Sequence, residues 1–199
     1  LQSSTCNKSI DRRGVQAMKK ALYILGEMDD SDIQWVIGAG KKEIVAAEQT
    51  LIEEGKPIDG FYLVIEGNFS VRVRALNNKE VAQVGAGEVL GEMSYVDSHP
   101  PSATVVAIER GLVLSIPRVL LSEKLAQDMS FAAHFYRALS VFLAHRLRGT
   151  VGQLGYGEAD DSSPDEEQMD EDELDLDELD HATMGGARFD QILRQLKEM

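Results

Sequence analysis

Leu90-Gly91-Glu92-Met93-Ser94-Tyr95-Val96-Asp97-Ser98-His99-Pro100-Pro101-Ser102-Ala103-Thr104 is the stretch on which the reading of this chain turns. Gly91 reads as a turn residue, and Glu92 is placed to cap a short helix. Ser94 and Ser102, taken singly, read as local caps. Pro101 brings neither charge nor a backbone N–H to the stretch.

On both sides of it the apolar residues recur with period two. Phe61 to Ile65 is a fully apolar strand core. Glu66-Gly67-Asn68 then turns the chain into Phe69, Val71 and Val73, which alternate with Ser70, Arg72 and Arg74. That alternation predicts one buried and one wet face, with Arg72 and Arg74 toward solvent. Asn77-Asn78 and Gly85-Ala86-Gly87 bracket a strand ending at Val81–Val84, and Ala103–Ile108 and Leu112–Ile116 are joined across Arg110-Gly111. Glu43 to Ile52 is short and mixed. Short strands broken by Gly and Asn turns read as a small β-barrel or jelly roll.

Helical periodicity flanks the strands. Val15 to Leu25 carries Met18, Ala21, Leu22 and Leu25 on one face. A second helix is predicted from Ser31, with Ser31 and Gln34 as a capping box, and it ends at Gly38-Ala39-Gly40. After the strands, Pro117 suits a first helical turn and Arg118 to Gln127 is one helix. Ser130 is expected to cap the next, which runs to about Arg148 with Phe131, Phe135, Leu139, Phe142, Leu143 and Leu147 inward, until Gly149, Gly152, Gly155 and Gly157 dissolve it. The domain organisation is then a flexible N-terminus over 1–14, a folded domain over 15–150, an acidic disordered linker over 151–186 with a Gly185-Gly186 hinge, and a short amphipathic helix over 187–199. Residues 158–183 carry too little apolar surface to offset ordering entropy.

Together these features resemble the cyclic nucleotide-binding domain family, over about Leu22 to Arg148. The family's phosphate-binding cassette reads roughly Phe-Gly-Glu-Leu-Ala-Leu, a few loop residues, then Pro-Arg-Ala-Ala-Thr. Gly91, Glu92, Met93, Ser94, Pro100, Ala103 and Thr104 fit it. Glu54-Gly55 and Phe61-Tyr62-Leu63-Val64-Ile65-Glu66-Gly67 resemble the family's glycine and its aromatic, apolar, Gly strand and turn, and Ala138-Leu139 through Arg146-Leu147-Arg148 resembles its closing helix. The fold so implied is mainly β with flanking helices: a cyclic nucleotide-binding-like jelly roll or barrel, N-terminal helices, and two closing C-terminal helices. No helix-turn-helix follows.

The resemblance assigns a ligand site to Gly91, Glu92, Met93, Ser94, Pro101, Ser102, Ala103 and Thr150. Glu92 would accept from the ribose 2′-hydroxyl. Amides around Met93, Ser94 and Ser102 would line the phosphate, and Thr150 would lie near the base. Pro101 stands where the family keeps its phosphate-gripping arginine. Each lost charge-assisted hydrogen bond to an anion costs about 1.5–3 kcal/mol. Three readings stay open: a weakened or altered cyclic-nucleotide site, a site for another ligand such as a neutral nucleoside, and an empty fold used as scaffold. The implied ligand is cAMP or a related cyclic nucleotide, and no cofactor is certain.

Charge and composition narrow the function classes. The 199 residues carry a formal net charge of -14, yet Glu158 to Asp180 alone holds fourteen acids and no Lys or Arg. The remainder balances twenty acids against twenty bases. Such a field repels nucleic acid and anionic membrane and favours basic partners. The single Cys6 cannot form an internal disulfide, which fits a reducing cytoplasm, and no apolar run suits a signal peptide or a bilayer span. His134 and His145, on one helix, stand roughly 16 Å apart, too far to share a metal. Asp170 to Asp180 lacks the mid-loop glycine of a calcium loop. No nucleophile is grouped with a base, so neither an enzyme nor a metal site is expected.

Leu174, Leu176 and Leu179 within the acids, and the stripe Phe189, Ile192, Leu193 and Leu196, are candidate partner-binding residues. The partner would be a protein with a basic or apolar docking groove; the stripe equally suits docking on its own domain. Phe135, Leu139 and Phe142 on the closing helix suit a homodimer or cover for the sheet. The expected function is a cytoplasmic signalling or regulatory module that senses a cyclic nucleotide and acts through protein contacts. The alternative is a ligand-free interaction scaffold working through the acidic tail and terminal helix.

Overall fold

The computed structural model describes residues 25–97, 99–155 and 176–198. The N-terminal segment 1–14, most of the helix placed at 15–25, and Leu174 lie outside the described residues.

Helix α1 spans Asp30–Ala39. It is followed by β1 (Lys41–Val45), β2 (Thr50–Ile52), β3 (Gly60–Glu66) and β4 (Phe69–Val73). A 3-10 turn at Arg74–Leu76 leads to β5 (Lys79–Val84) and β6 (Val89–Leu90), then to the one-turn helix α2 (Met93–Val96). Strands β7 (Thr104–Ala107) and β8 (Gly111–Pro117) precede α3 (Arg118–Gln127), α4 (Met129–Gly155) and α5 (Leu176–Glu198).

The strands pair in two antiparallel four-stranded sheets, β1-β8-β3-β6 and β2-β7-β4-β5. This is the jelly roll; among the described residues no pairing closes the strands into a single barrel. The unbroken apolar run of β3 follows from its position. Phe61, Leu63 and Ile65 face the core shared with the helices, while Tyr62 and Val64 face the core between the sheets. A strand covered on both faces has no place for the polar alternation of a one-sided sheet. β4 is one-sided: Phe69 and Val71 enter the inter-sheet core, and Arg72 lies on the other face, its Nε donating to Ser70 Oγ at 3.0 Å. Ser70 itself is fully buried, donating to Glu80 at 2.6 Å, so that face is less wet than the alternation suggests. Asn77 and Asn78 both take left-handed backbone angles, as the hairpin turn requires.

Three helix starts differ from the sequence expectation. The capping box of α1 is Asp29–Asp32, not Ser31–Gln34: Asp32 N donates to Asp29 Oδ1 at 2.9 Å and Asp29 N donates to Asp32 Oδ2 at 3.0 Å. Ser31 Oγ donates to Asp29, and this bond, then the Asp32 amide, holds the Asp29 carboxyl below its usual range. For α4, Asp128 rather than Ser130 supplies the cap, accepting from Phe131 N at 3.0 Å. Pro117 stands at the N-cap of α3, one residue outside the helix.

The C-terminal elements differ more. Helix α4 continues through Gly149 and Gly152 to Gly155. Helix α5 begins at Leu176 rather than Ala187 and passes unbroken through Gly185-Gly186, so these glycines are not a hinge. Its stripe is not displayed to a partner. Phe189, Ile192 and Leu196 are buried in the helical core and Leu193 packs against it, beside Leu25, Met28, Val36 and Ile37. Two polar ties fix the helix. Arg188 Nη1 donates to the Leu25 and Gly26 carbonyls, each at 2.9 Å. Lys42 Nζ donates to the Leu196 carbonyl at 3.0 Å, satisfying an end-of-helix acceptor. No helix among the described residues is long and apolar enough to cross a membrane.

Candidate functional site

The cassette occupies the connection from β6 to β7. Gly91 has φ +84, a backbone state that side-chain-bearing residues avoid. A Cβ there would run into Ile58 Cδ1 and lie 3.0 Å from the Gly60 carbonyl. Glu92 follows at the start of α2, with its residue only 3 % exposed. Its side chain makes no capping bond to α2, so the local-cap reading of Glu92 fails. Met93 is exposed. Ser94 is buried, its Oγ donating to the His99 carbonyl at 2.8 Å, which braces α2 against the following loop.

Pro101 is half-buried and its carbonyl accepts from Gly55 N at 2.9 Å. The loop after β2 is thereby tied over the cassette, and Thr104 Oγ1 accepts from Glu54 N at 3.1 Å in the same seam. Ser102 is exposed, and Ala103 packs against the inter-sheet core. Gly91, Glu92, Met93, Ser94, Pro101, Ser102 and Ala103 thus sit together along one connection. Thr150 lies in α4, its side chain outside the described residues, as are those of Leu176 and Leu179 in α5. Arg74 is exposed, and its backbone N donates to Glu54 Oε2 at 2.7 Å. With Arg72 on the outer face of its sheet, neither arginine replaces the missing one.

A pocket of about 240 Å³ opens beside the cassette, lined by Pro57, Ile58, Ser94, His99, Pro100 and Arg118. Arg118 was not among the residues the sequence singled out. It is the first residue of α3, and its Nη2 donates to the Ser94 carbonyl at 3.0 Å. Its guanidinium carbon lies 4.7 Å from the centre of the Tyr95 ring. One local signal pointed to it: a cation in a helix's first turn opposes the helix dipole, so something else holds it there.

Tyr95 links this site to the helical core. Its ring lies 5.9 Å from Phe61 and 6.2 Å from Phe135. Its hydroxyl is buried with no hydrogen-bond partner among the described residues. Burial pushes that hydroxyl up to about 12, with Arg118 opposing and Tyr62 adding to the rise. A folded-state value above the unfolded one, about 10, leaves stability intact below pH 10 and removes it as pH climbs toward 12. Tyr95→Phe is therefore expected to flatten the loss of stability between pH 10 and 12, and to cost nothing at neutral pH because the hydroxyl forms no bond there. Urea midpoints across pH 7–12 check this; an unchanged alkaline slope would refute it.

Asp29, Asp32 and His134 bring ligand-type atoms within 4.8 Å of one another. Their bonds serve the fold: Asp29 and Asp32 form the α1 cap, and His134 Nδ1 lies 2.7 Å from Asp32 Oδ2, joining α4 to α1.

With this geometry in place, comparison with known proteins is informative. Residues 42–128 match the family model of the cyclic nucleotide-binding domain. A cAMP-dependent protein kinase regulatory subunit from Blastocladiella emersonii is 25% identical over 166 residues, covering 77% of this chain and 41% of the subunit. The chain thus spans about two fifths of that relative's length. The N-terminal domain of a transcriptional regulator from Streptomyces coelicolor A3(2) superposes with a TM-score of 0.53 at 27% identity, over 70% of this chain and 94% of that one. A cyclic nucleotide-binding domain from Methylobacillus flagellatus KT gives a TM-score of 0.62 at 22% identity, over 74% of this chain and 88% of that one, a likeness of fold. Sequence match, two-sheet jelly roll and cassette turn agree: residues 42–128 of this chain match the cyclic nucleotide-binding domain family.

Proposed function

We propose that this chain is a regulatory module that binds a nucleotide with a cyclic phosphate and passes the signal on by protein contact in the cytoplasm. The observation that carries the reading is the cassette turn. Gly91 takes the left-handed state against Ile58, Glu92 follows with its carboxyl end drawn into the fold, and Ser94 braces the loop beneath a pocket. The name of the Blastocladiella emersonii relative makes cAMP the first ligand to test. Binding would reach the output elements through Tyr95, which packs on Phe135 of α4. No catalytic role is assigned.

The cassette strand offers no charge at Pro101, so affinity for cAMP is expected to be modest. Pro101→Arg restores a bidentate phosphate donor and is expected to raise affinity about tenfold or more. Isothermal calorimetry with cAMP, cGMP and cyclic di-GMP on both proteins is the test. Silence from all three at millimolar concentration, in wild type and variant alike, rejects the reading in favour of a ligand-free scaffold. That scaffold reading draws on Pro101 itself, and on it any partner for the α5 stripe must first displace α5 from its own domain.

A further inference from the structure

We propose that Arg118 is the anion clamp of this domain: its guanidinium, standing on α3 outside the cassette, takes the ligand's phosphate in the pocket beside Ser94. The inference rests on the nucleotide-binding reading above and assigns that site its missing charge.

The Arg118 side chain is held in place before any ligand arrives. The Arg118 backbone N donates to the Asp59 carbonyl at 2.8 Å. The side chain lies against the Tyr95 ring and gives one N–H to the Ser94 carbonyl. The backbone bond fixes the start of α3, and the ring and carbonyl contacts restrain the guanidinium. They leave Nε and Nη1 without an acceptor among the described residues, while the residue as a whole is half-buried. A fixed planar fork with unused donors matches phosphate oxygens bidentately and loses little freedom on binding.

The surroundings fit that use. Ser94, His99 and Pro100 of the cassette line the same pocket, and Ile58 lines it while also blocking any side chain at position 91. The clamp therefore sits against Ser94 of the cassette, the segment to which the proposed reading assigns the ligand. His99 is the other basic group in the wall, but Asp97 Oδ2 lies 3.4 Å from its Nδ1 and offsets it. Ser94 Oγ spends its proton on the His99 carbonyl. Arg118 is thus the uncompensated cation of the lining. Pro57, Ile58 and Pro100 make the remaining walls apolar, suiting a sugar or base edge beside the phosphate. At about 240 Å³ the pocket is many times the roughly 10–15 Å³ needed to seat one water. A cation at the start of α3 opposes the helix dipole, and a bound anion would offset that cost.

The test uses the full chain with cAMP, cGMP, cyclic di-GMP and inorganic phosphate as probes. Calorimetry compares wild type with Arg118→Ala, Arg118→Lys and the double variant Arg118→Ala/Pro101→Arg, with thermal melts to verify folding. NMR follows the Arg118 Nε–Hε resonance. The expected result is a ten- to hundredfold loss of cyclic-nucleotide affinity in Arg118→Ala, a smaller loss in Arg118→Lys, and recovery in the double variant. The mononucleotide and dinucleotide arms separate the two sources of a phosphodiester. If wild type binds a nucleotide and both folded Arg118 variants bind it equally well, the clamp is overturned while the nucleotide reading stands. If no nucleotide binds but inorganic phosphate shifts the Arg118 Nε–Hε resonance, the nucleotide reading falls and the anion pocket stands. If nothing binds and the resonance stays still, both are wrong.

Discussion

Replacing Phe135 with alanine is expected to lower stability by about 3–5 kcal/mol, the range for a large aromatic removed from a closed core. Phe135 is 2 % exposed. Its ring lies 5.5 Å from Phe61 of β3, 6.2 Å from Tyr95 of α2 and 6.1 Å from Phe131. It is the point where α4, the first sheet and the cassette helix meet, so no neighbour can collapse into the gap without leaving another contact. At a urea slope of about 1–3 kcal/mol per molar, the unfolding midpoint should drop by at least 1 M with an unchanged slope. Tyr95 would lose a ring partner as well, so ligand affinity should fall in whatever fraction remains folded. A midpoint shift under about 0.3 M would show that Phe135 does not bear on the core as its contacts indicate.

Ile192→Asp is expected to detach α5 from the domain. Ile192 is fully buried, between Phe189 and Leu196. Each of these three side chains contributes about 1.5–3 kcal/mol of apolar burial, before ordering costs. A carboxylate at 192 would enter an apolar cluster, where Arg188 one turn earlier is already bonded to the Leu25 and Gly26 carbonyls, and burying it unpaired costs several kcal/mol. Undocking is the cheaper outcome, because the sheets keep their own core between Val45, Val64, Phe69 and Val113. Native-state hydrogen exchange should show amides across Leu176–Glu198 losing nearly all protection while β3 and β8 keep theirs. Retained protection in α5 would mean that Arg188 and Lys42 suffice to hold it.

What the sequence made legible was what local pattern alone decides. β3 is readable because both of its faces are covered, so its apolar run is unbroken. The cassette is readable because Gly91 takes a left-handed backbone state that side-chain-bearing residues avoid. The errors have a common physical origin in choices that a distant residue settles. Asp29-Asp30-Ser31-Asp32-Ile33-Gln34 offers two overlapping capping boxes, and His134 at 2.7 Å from Asp32 favours the earlier one. Acid-rich Leu176–Asp180 suggests disorder by composition, yet acids suit a helix N-terminus, and the apolar stripe downstream has a core to dock on. Gly185 sits within that helix and is buried, where tertiary context overrides propensity. Arg118 is separated from Ser94 by the whole of β7 and β8, and only the folded sheet brings them together.

The two polar ties on α5, from Arg188 near its middle and Lys42 at its end, bear on how fast anything else could seize that helix. A competitor for the Phe189–Leu196 surface meets only molecules in which the helix has already swung free, so its apparent dissociation constant is multiplied by the rarity of that open form. Its association rate would accordingly level off at high competitor concentration, at the opening rate of the helix itself, rather than rise without limit.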